Sequence, residues 1–168
     1  YVSAANIETT FNALQAEAAI RREEPVPDYV HFANIALADT FQIHEEGDIP
    51  DLNVFAANND RIERQKTAPI NVIVGNPPYS AGQTSANDDN QNLKYPSLDT
   101  RIAETYAGRS TAQLKNSLYD SYLRAFRWAT DRIGGQGMVA FVSNGGWLDS
   151  NTGDGVRLSR AEDFTDLY

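Results

Sequence analysis

Pro69-Ile70-Asn71-Val72-Ile73-Val74-Gly75-Asn76-Pro77-Pro78-Tyr79 is the stretch on which the fold turns. Ile70, Val72, Ile73 and Val74 form a nearly unbroken β-branched run. Such a run suits a strand covered on both faces, as in a parallel sheet. Gly75 and the two prolines end it. Asn76 and Pro77 each precede a proline, which pushes both toward extended dihedrals. Pro77 and Pro78 have a fixed φ and no N–H to donate. The result is a stiff edge rich in acceptors, with the Asn76 side-chain oxygen and the Pro77 carbonyl in adjacent positions. Tyr79 then adds a ring face. A plain Pro-Pro turn needs none of this specificity, so the four residues read as a site.

Upstream, residues 1–22 are rich in Ala, Glu and Gln and predict a helix, with Ile7, Phe11, Leu14 and Ala18 on one face. Pro25 and Pro27 end it. Residues 31–37 (HFANIAL) read as a short strand with Asp39 at its carboxyl end. Residues 42–60 read as a polar, acidic surface connection, and residues 60–66 as a helical turn.

Downstream, the polar residues 80–92 read as a mobile loop. Leu114, Leu118, Tyr122, Phe126, Ala129 and Ile133 recur at spacings of three or four and predict a helix over residues 111–133. Asp120 and Arg124 are spaced to pair within it. Gly134 and Gly135 stop it, and residues 138–143 (MVAFVS) read as the next strand. Asn144-Gly145-Gly146-Trp147 turns out of that strand, a short helix follows over residues 155–164, and a further strand begins after it. Strand, helix and strand alternate, so the fold class is α/β with a mainly parallel sheet. Ligands of such sheets bind at the carboxyl ends of the strands. Asp39, the tetrapeptide from Asn76 and the turn from Asn144 are therefore expected to converge on one cleft.

The chain has 168 residues and 41% hydrophobic content, enough for a core. Its net charge of −9 argues against a free-standing nucleic-acid binder, which is usually basic. Cysteine is absent, which removes disulfides, thiolate metal sites and a thiol nucleophile. His31 and His44 lack a metal-ligand pattern. No stretch approaches the roughly 20 apolar residues of a membrane span, and no signal peptide opens the chain, so a cytoplasmic location is the expectation. Tyr1 falls inside the expected first helix and Tyr168 inside the expected last strand, as in a fragment of a longer polypeptide.

Residues 70–79 (INVIVGNPPY) resemble motif IV of the amino-group methyltransferases that use S-adenosylmethionine. The resemblance extends over residues 61–83 (RIERQKTAPINVIVGNPPYSAGQ), 118–133 (LYDSYLRAFRWATDRI) and 137–148 (GMVAFVSNGGWL). Together these are similar to the methyltransferase region of bacterial single-polypeptide, Type ISP restriction–modification enzymes. Such proteins join nuclease, helicase-like, adenine-methyltransferase and target-recognition domains in one chain.

The resemblance implies a partial Rossmann-like, S-adenosylmethionine-dependent methyltransferase fold. Residues 1–168 would be its central part, without the glycine-rich cofactor loop. It implies adenine-N6 methylation of double-stranded DNA with the target adenine flipped out, and no metal. Asn76, Pro77, Pro78 and Tyr79 would form the catalytic edge and stacking ring, and Asp39 would match the motif III acid that contacts the adenine of the cofactor. With half of the cofactor site upstream, the segment alone is expected to be inactive.

An aromatic amino nitrogen is a poor nucleophile because its lone pair is conjugated into the ring. Acceptors holding both N–H groups favour a more tetrahedral nitrogen and steady the developing positive charge. Tyr79 would stack on the extruded base.

Several readings stay open. Lys115, Tyr119 and Tyr122 either shape a cofactor pocket or pack ordinarily. Arg124, Arg127 and Arg132 form a solvated face or a phosphate stripe. Trp147 walls the base pocket or packs at its rim. Asn-Pro-Pro-Tyr also suits methylation of protein glutamine or ribosomal RNA amino groups, and a non-catalytic scaffold is the third alternative.

Overall fold

The computed structural model describes residues 2–45, 47, 56–78 and 94–168. It divides into two units, Tyr1–Ala38 with Ile49–Thr67, and Asp39–Asp48 with Ala68–Tyr168. The expected loop over residues 80–92 lies outside the described residues, as do residues 46 and 48–55 of the connection expected over residues 42–60.

In the first unit, α1 (Val2–Arg21) matches the expected helix. It closes before Pro25, in a turn made by Glu23 at φ 58°. Glu23 N–H donates to Ile20 and Glu24 N–H to Ala19, the pairing that satisfies the last carbonyls of a helix. The expected apolar face is only partly used. Phe11 packs on the Phe32 ring at 5.1 Å, while Ile7 and Leu14 stay exposed.

Residues 31–37 are not a strand. The segment leading into them and its own far end are held by side-chain amides where a strand would use a neighbour's backbone. Asn12 takes both backbone groups of Val30, at 2.7 and 3.0 Å. Asn58, on α2 (Ala56–Thr67), does the same to Leu37 at 2.8 Å for each bond. Arg61 and Gln65 of α2 donate to the carbonyls of Ile35 and Asn34, and the Glu8 carboxylate accepts from Phe32 N–H and the Tyr29 hydroxyl. Backbone groups left without a strand neighbour need other partners, and here helices supply them.

The second unit holds a two-stranded parallel sheet of β1 (Val72–Gly75) and β2 (Met138–Phe141). Val72 faces Met138 and Gly75 faces Phe141. The chain is thus α/β, as expected, but the sheet is not covered on both faces. Ile73, Val139 and Phe141 are half-buried, whereas Val72, Val74 and Met138 are exposed. Entry into β2 needs Gly137, because a Cβ there would overlap the Asn71 carbonyl and the Ile133 side chain.

The core lies among helices that link and follow the strands. Tyr95, Leu98, Ile102, Tyr106, Leu118, Tyr122, Leu123, Phe126 and Val156 form it. α3 (Pro96–Ile102), which the periodicity did not reveal, starts with proline in its first turn and widens into a π-helical turn (Ala103–Ala107). The expected long helix is shorter, α4 (Ser121–Ile133). Asp120 caps it by accepting from Tyr122 N–H at 3.3 Å, and the carbonyl of the same residue receives Arg124 N–H. The preceding residues Asn116–Tyr119 form a separate 3₁₀ turn, and Leu114 is 80% exposed. The apolar spacing thus ran through a break that only the cap marks. After β2 come α5 (Gly146–Asp149) and α6 (Asp154–Asp163). Residues 164–168 form no strand.

The arginines of α4 are neither a solvated face nor a phosphate stripe. Arg124 forks onto Asp99, Nε to Oδ1 at 2.8 Å and Nη2 to Oδ2 at 3.0 Å. The expected Asp120–Arg124 pairing gives way to this contact with α3. Arg127 is 2% exposed and reaches Asp131 at 2.6 Å and Asp163 at 2.8 Å. Arg132 donates to the Ala68 carbonyl at 2.6 Å, bracing the lead into β1. Lys115 is half-buried and donates to the Ala107 carbonyl at 2.6 Å.

Candidate functional site

The site is built where the two parallel strands end side by side. Val142 N–H donates to the Gly75 carbonyl at 3.0 Å, one step beyond the paired residues. The chain then leaves β1 through Asn76, exposed, Pro77, buried, and Pro78, exposed. This alternation is what an extended, proline-stiffened segment produces. Pro77 anchors the segment while Asn76 stays reachable. Tyr79 lies outside the described residues.

Behind this edge stands a stack of rings. A Cβ on Gly75 would lie 3.2 Å from the Phe141 ring, so the strand runs flush against it. Phe141 stacks on Phe126 at 5.7 Å, and Phe126 takes Trp147 edge-on at 5.6 Å and Tyr122 edge-on at 5.9 Å. Stacked and edge-on pairs of this kind each add about 0.5–1.5 kcal/mol beyond the area they bury. Trp147 is half-buried and packs in this stack. Asn144 stabilises the turn after β2 by accepting from Gly146 N–H at 3.0 Å. The ends of β1 and β2 are therefore brought together, as the sequence led us to expect.

Asp39 is held within the second unit by other means, since the strand expected before it is absent. Its Oδ1 accepts from Phe41 N–H at 3.0 Å and Gln42 N–H at 3.3 Å, starting the 3₁₀ turn Gln42–His44. Its Oδ2 accepts from the Tyr95 hydroxyl at 2.8 Å. Tyr95 belongs to the same core as Tyr122 and Phe126. Burial, then the bond to Asp39, pushes the Tyr95 hydroxyl far above the usual tyrosine range, so it remains a donor. Tyr95 escaped the sequence reading because a lone tyrosine before a proline carries no periodic signal.

A separate recess of about 230 Å³ is lined by Phe41, Leu98 and Trp128, with Glu45, Arg101 and Asp131 among its polar residues. Asn76, Pro77 and Pro78 do not line it. Among the described residues no helix is long and apolar enough to cross a membrane.

Fold and site together describe an α/β unit whose acceptor edge leaves one of two adjacent parallel strands over an aromatic base. No protein-family profile matches the chain, and no curated protein does. Solved structures do. A nuclease-deletion mutant of the Type ISP restriction-modification enzyme LlaGI, in complex with a DNA substrate mimic, is 41% identical. It superposes with a TM-score of 0.82 over 98% of this chain and 13% of that one. The ATP-dependent Type ISP restriction-modification enzyme LlaBIII bound to DNA is 41% identical, with a TM-score of 0.77 over 92% of this chain and 10% of that one. The DrdV–DNA complex is 44% identical, with a TM-score of 0.72 over 88% and 14%. The chain is homologous to a segment of Type ISP restriction-modification enzymes, and it spans between 10% and 14% of the solved chains it matches.

Proposed function

We propose that this chain is part of an adenine-N6 DNA methyltransferase within a restriction–modification polypeptide, and that it carries the edge that receives the target base. The supporting observation is the exit of Asn76, Pro77 and Pro78 from β1 beside the end of β2, backed by rings, in a chain homologous to enzymes solved with DNA. On this reading the fold is a partial Rossmann-like methyltransferase fold and the segment is the central part of that domain.

The Asn76 side-chain oxygen and the Pro77 carbonyl accept the two N–H groups of the adenine amino group. They hold the nitrogen's lone pair out of conjugation and steady the positive charge that builds there. Tyr79 stacks on the flipped base. The prolines keep the edge free of donors that would repel the amino group.

S-adenosylmethionine, when bound, supplies an activated methyl group. The residues present suit one part of it. Asp39 is a half-buried carboxylate whose bonds are made by two backbone N–H groups and one hydroxyl, leaving acceptor capacity toward an adenine amino group. The chain's net charge of −9 supports a grip on DNA phosphates by other parts of the polypeptide.

The test is labelled methyl transfer by the full-length protein to DNA, RNA and protein substrates. Asn76→Ala is expected to lower transfer to DNA by about 100-fold or more, with the fold retained. Undiminished transfer in that variant overturns the assignment, and preferred transfer to protein glutamine or RNA moves it to a different substrate.

A further inference from the structure

Tyr95 sits between a carboxylate and an ion pair. Its hydroxyl donates to Oδ2 of Asp39 at 2.8 Å, while Oδ1 already receives Phe41 N–H at 3.0 Å and Gln42 N–H at 3.3 Å. A carboxylate offers about four acceptor directions, so one direction on Oδ2 is left by these three bonds. Asp39 itself is half-buried.

The tyrosine itself is held. It is 3% exposed, and Phe41 meets its ring edge-on at 5.3 Å. The Arg124 guanidinium lies 5.2 Å from the ring centroid and is fixed by its two-pronged pair with Asp99. A phenylalanine would fill the same space. What the hydroxyl adds is the bond to Asp39.

We propose that Tyr95 is a positioning residue for Asp39, turning its carboxylate so that the remaining acceptor direction on Oδ2 meets an N–H donor, the exocyclic amino group of the cofactor's adenine. This rests on the cofactor reading of Asp39 given above. Asp39 makes the contact, and Tyr95 sets its direction. Arg124 and Asp99 connect that contact to α4 and α3.

The experiment measures binding of S-adenosylhomocysteine, and of its inosine analogue with a carbonyl in place of the amino group, to the full-length protein by calorimetry. Wild type, Tyr95→Phe, Asp39→Asn and the double variant are compared. Tyr95→Phe is expected to weaken S-adenosylhomocysteine about tenfold. It should leave binding of the inosine analogue unchanged, and add nothing in the Asp39→Asn background. If Asp39→Asn weakens the adenine ligand while Tyr95→Phe binds like wild type, the positioning role is overturned and the cofactor reading stands. If Asp39→Asn itself binds like wild type, the cofactor reading falls. Equal losses for both ligands in Tyr95→Phe would mean general loosening of the core and would also overturn the proposal.

Discussion

The backbone of Gly155 crosses the carbonyl of Tyr106 so closely that a Cβ on Gly155 would overlap the carbonyl oxygen. This contact seats α6 against the π-helical turn that follows α3. The turn is wide, and a helix crossing it without a side chain can approach its backbone. Val156, on the next residue of α6, is fully buried in the same core.

Gly155→Ala should therefore destabilise the protein by about 2–3 kcal/mol, an overpacking cost that the backbone carbonyl cannot relieve by rotating away. Gly135→Ala is the control, because a Cβ there meets nothing within 4 Å. Urea titration of both variants checks the contrast. A Gly155→Ala protein as stable as wild type would show that α6 can shift freely.

From a nearly fully buried position, Arg127 joins α4 to the end of α6 through Asp163 and also pairs with Asp131 one turn along α4. Arg127→Ala removes the cation and leaves two carboxylates facing a cavity. A loss of about 3 kcal/mol is expected, toward the lower end for a broken buried pair because both aspartates retain some solvent. Arg127→Met fills the space without the charge and should recover part of it. Denaturant midpoints of the two variants measure the packing and charge contributions separately.

Asp154 opens α6 and accepts from Thr111 N–H at 2.9 Å and the Thr111 hydroxyl at 2.7 Å. Hydrogen bonds from the Ser110 hydroxyl, and then from Thr111, hold its carboxyl well below its ordinary value of 3.8. A depressed folded value means the ionised form is favoured by folding. Its stabilising contribution is complete above that ordinary value and is lost as pH falls through the folded one. Melting temperature followed from pH 6 downward should drop more steeply in wild type than in Asp154→Asn, and the difference should open only below about pH 4. Parallel curves would remove this carboxylate from the acid response.

Glu23 adopts φ 58° where α1 ends, a conformation that costs an L side chain energy and that glycine adopts freely. Glu23→Gly should stabilise the protein by about 0.5–1 kcal/mol, the relieved strain being partly offset by greater chain entropy when unfolded. Thermal unfolding of the variant gives the sign directly.

Much of the second unit was legible in local signals. Val72, Ile73 and Val74 announce a strand by β-branching, and Gly134 and Gly135 stop a helix visibly. The residues that proved hardest were those whose partners are distant in sequence. Arg124 is spaced for Asp120 but pairs with Asp99, because α3 lies within its reach once both helices pack. Residues 31–37 have the composition of a strand, yet α2 captures their backbone through Asn58, Arg61 and Gln65. A ladder needs a second strand, and composition is silent about whether one is adjacent.

The sequence by itself determined the acceptor edge. Two consecutive prolines after a β-branched run fix their own dihedrals and remove their own donors, and no tertiary contact is needed for either effect. It also determined that Asn76 and Pro77 are neighbours in chemistry as well as in order. Only the tertiary structure decided what stands behind them. Phe141, Phe126 and Trp147 come from separate elements, and their stacking depends on how β2, α4 and α5 pack. The bond from Tyr95 to Asp39 spans 56 residues. Contacts of that range are set by the packing of whole elements, and no local pattern records them.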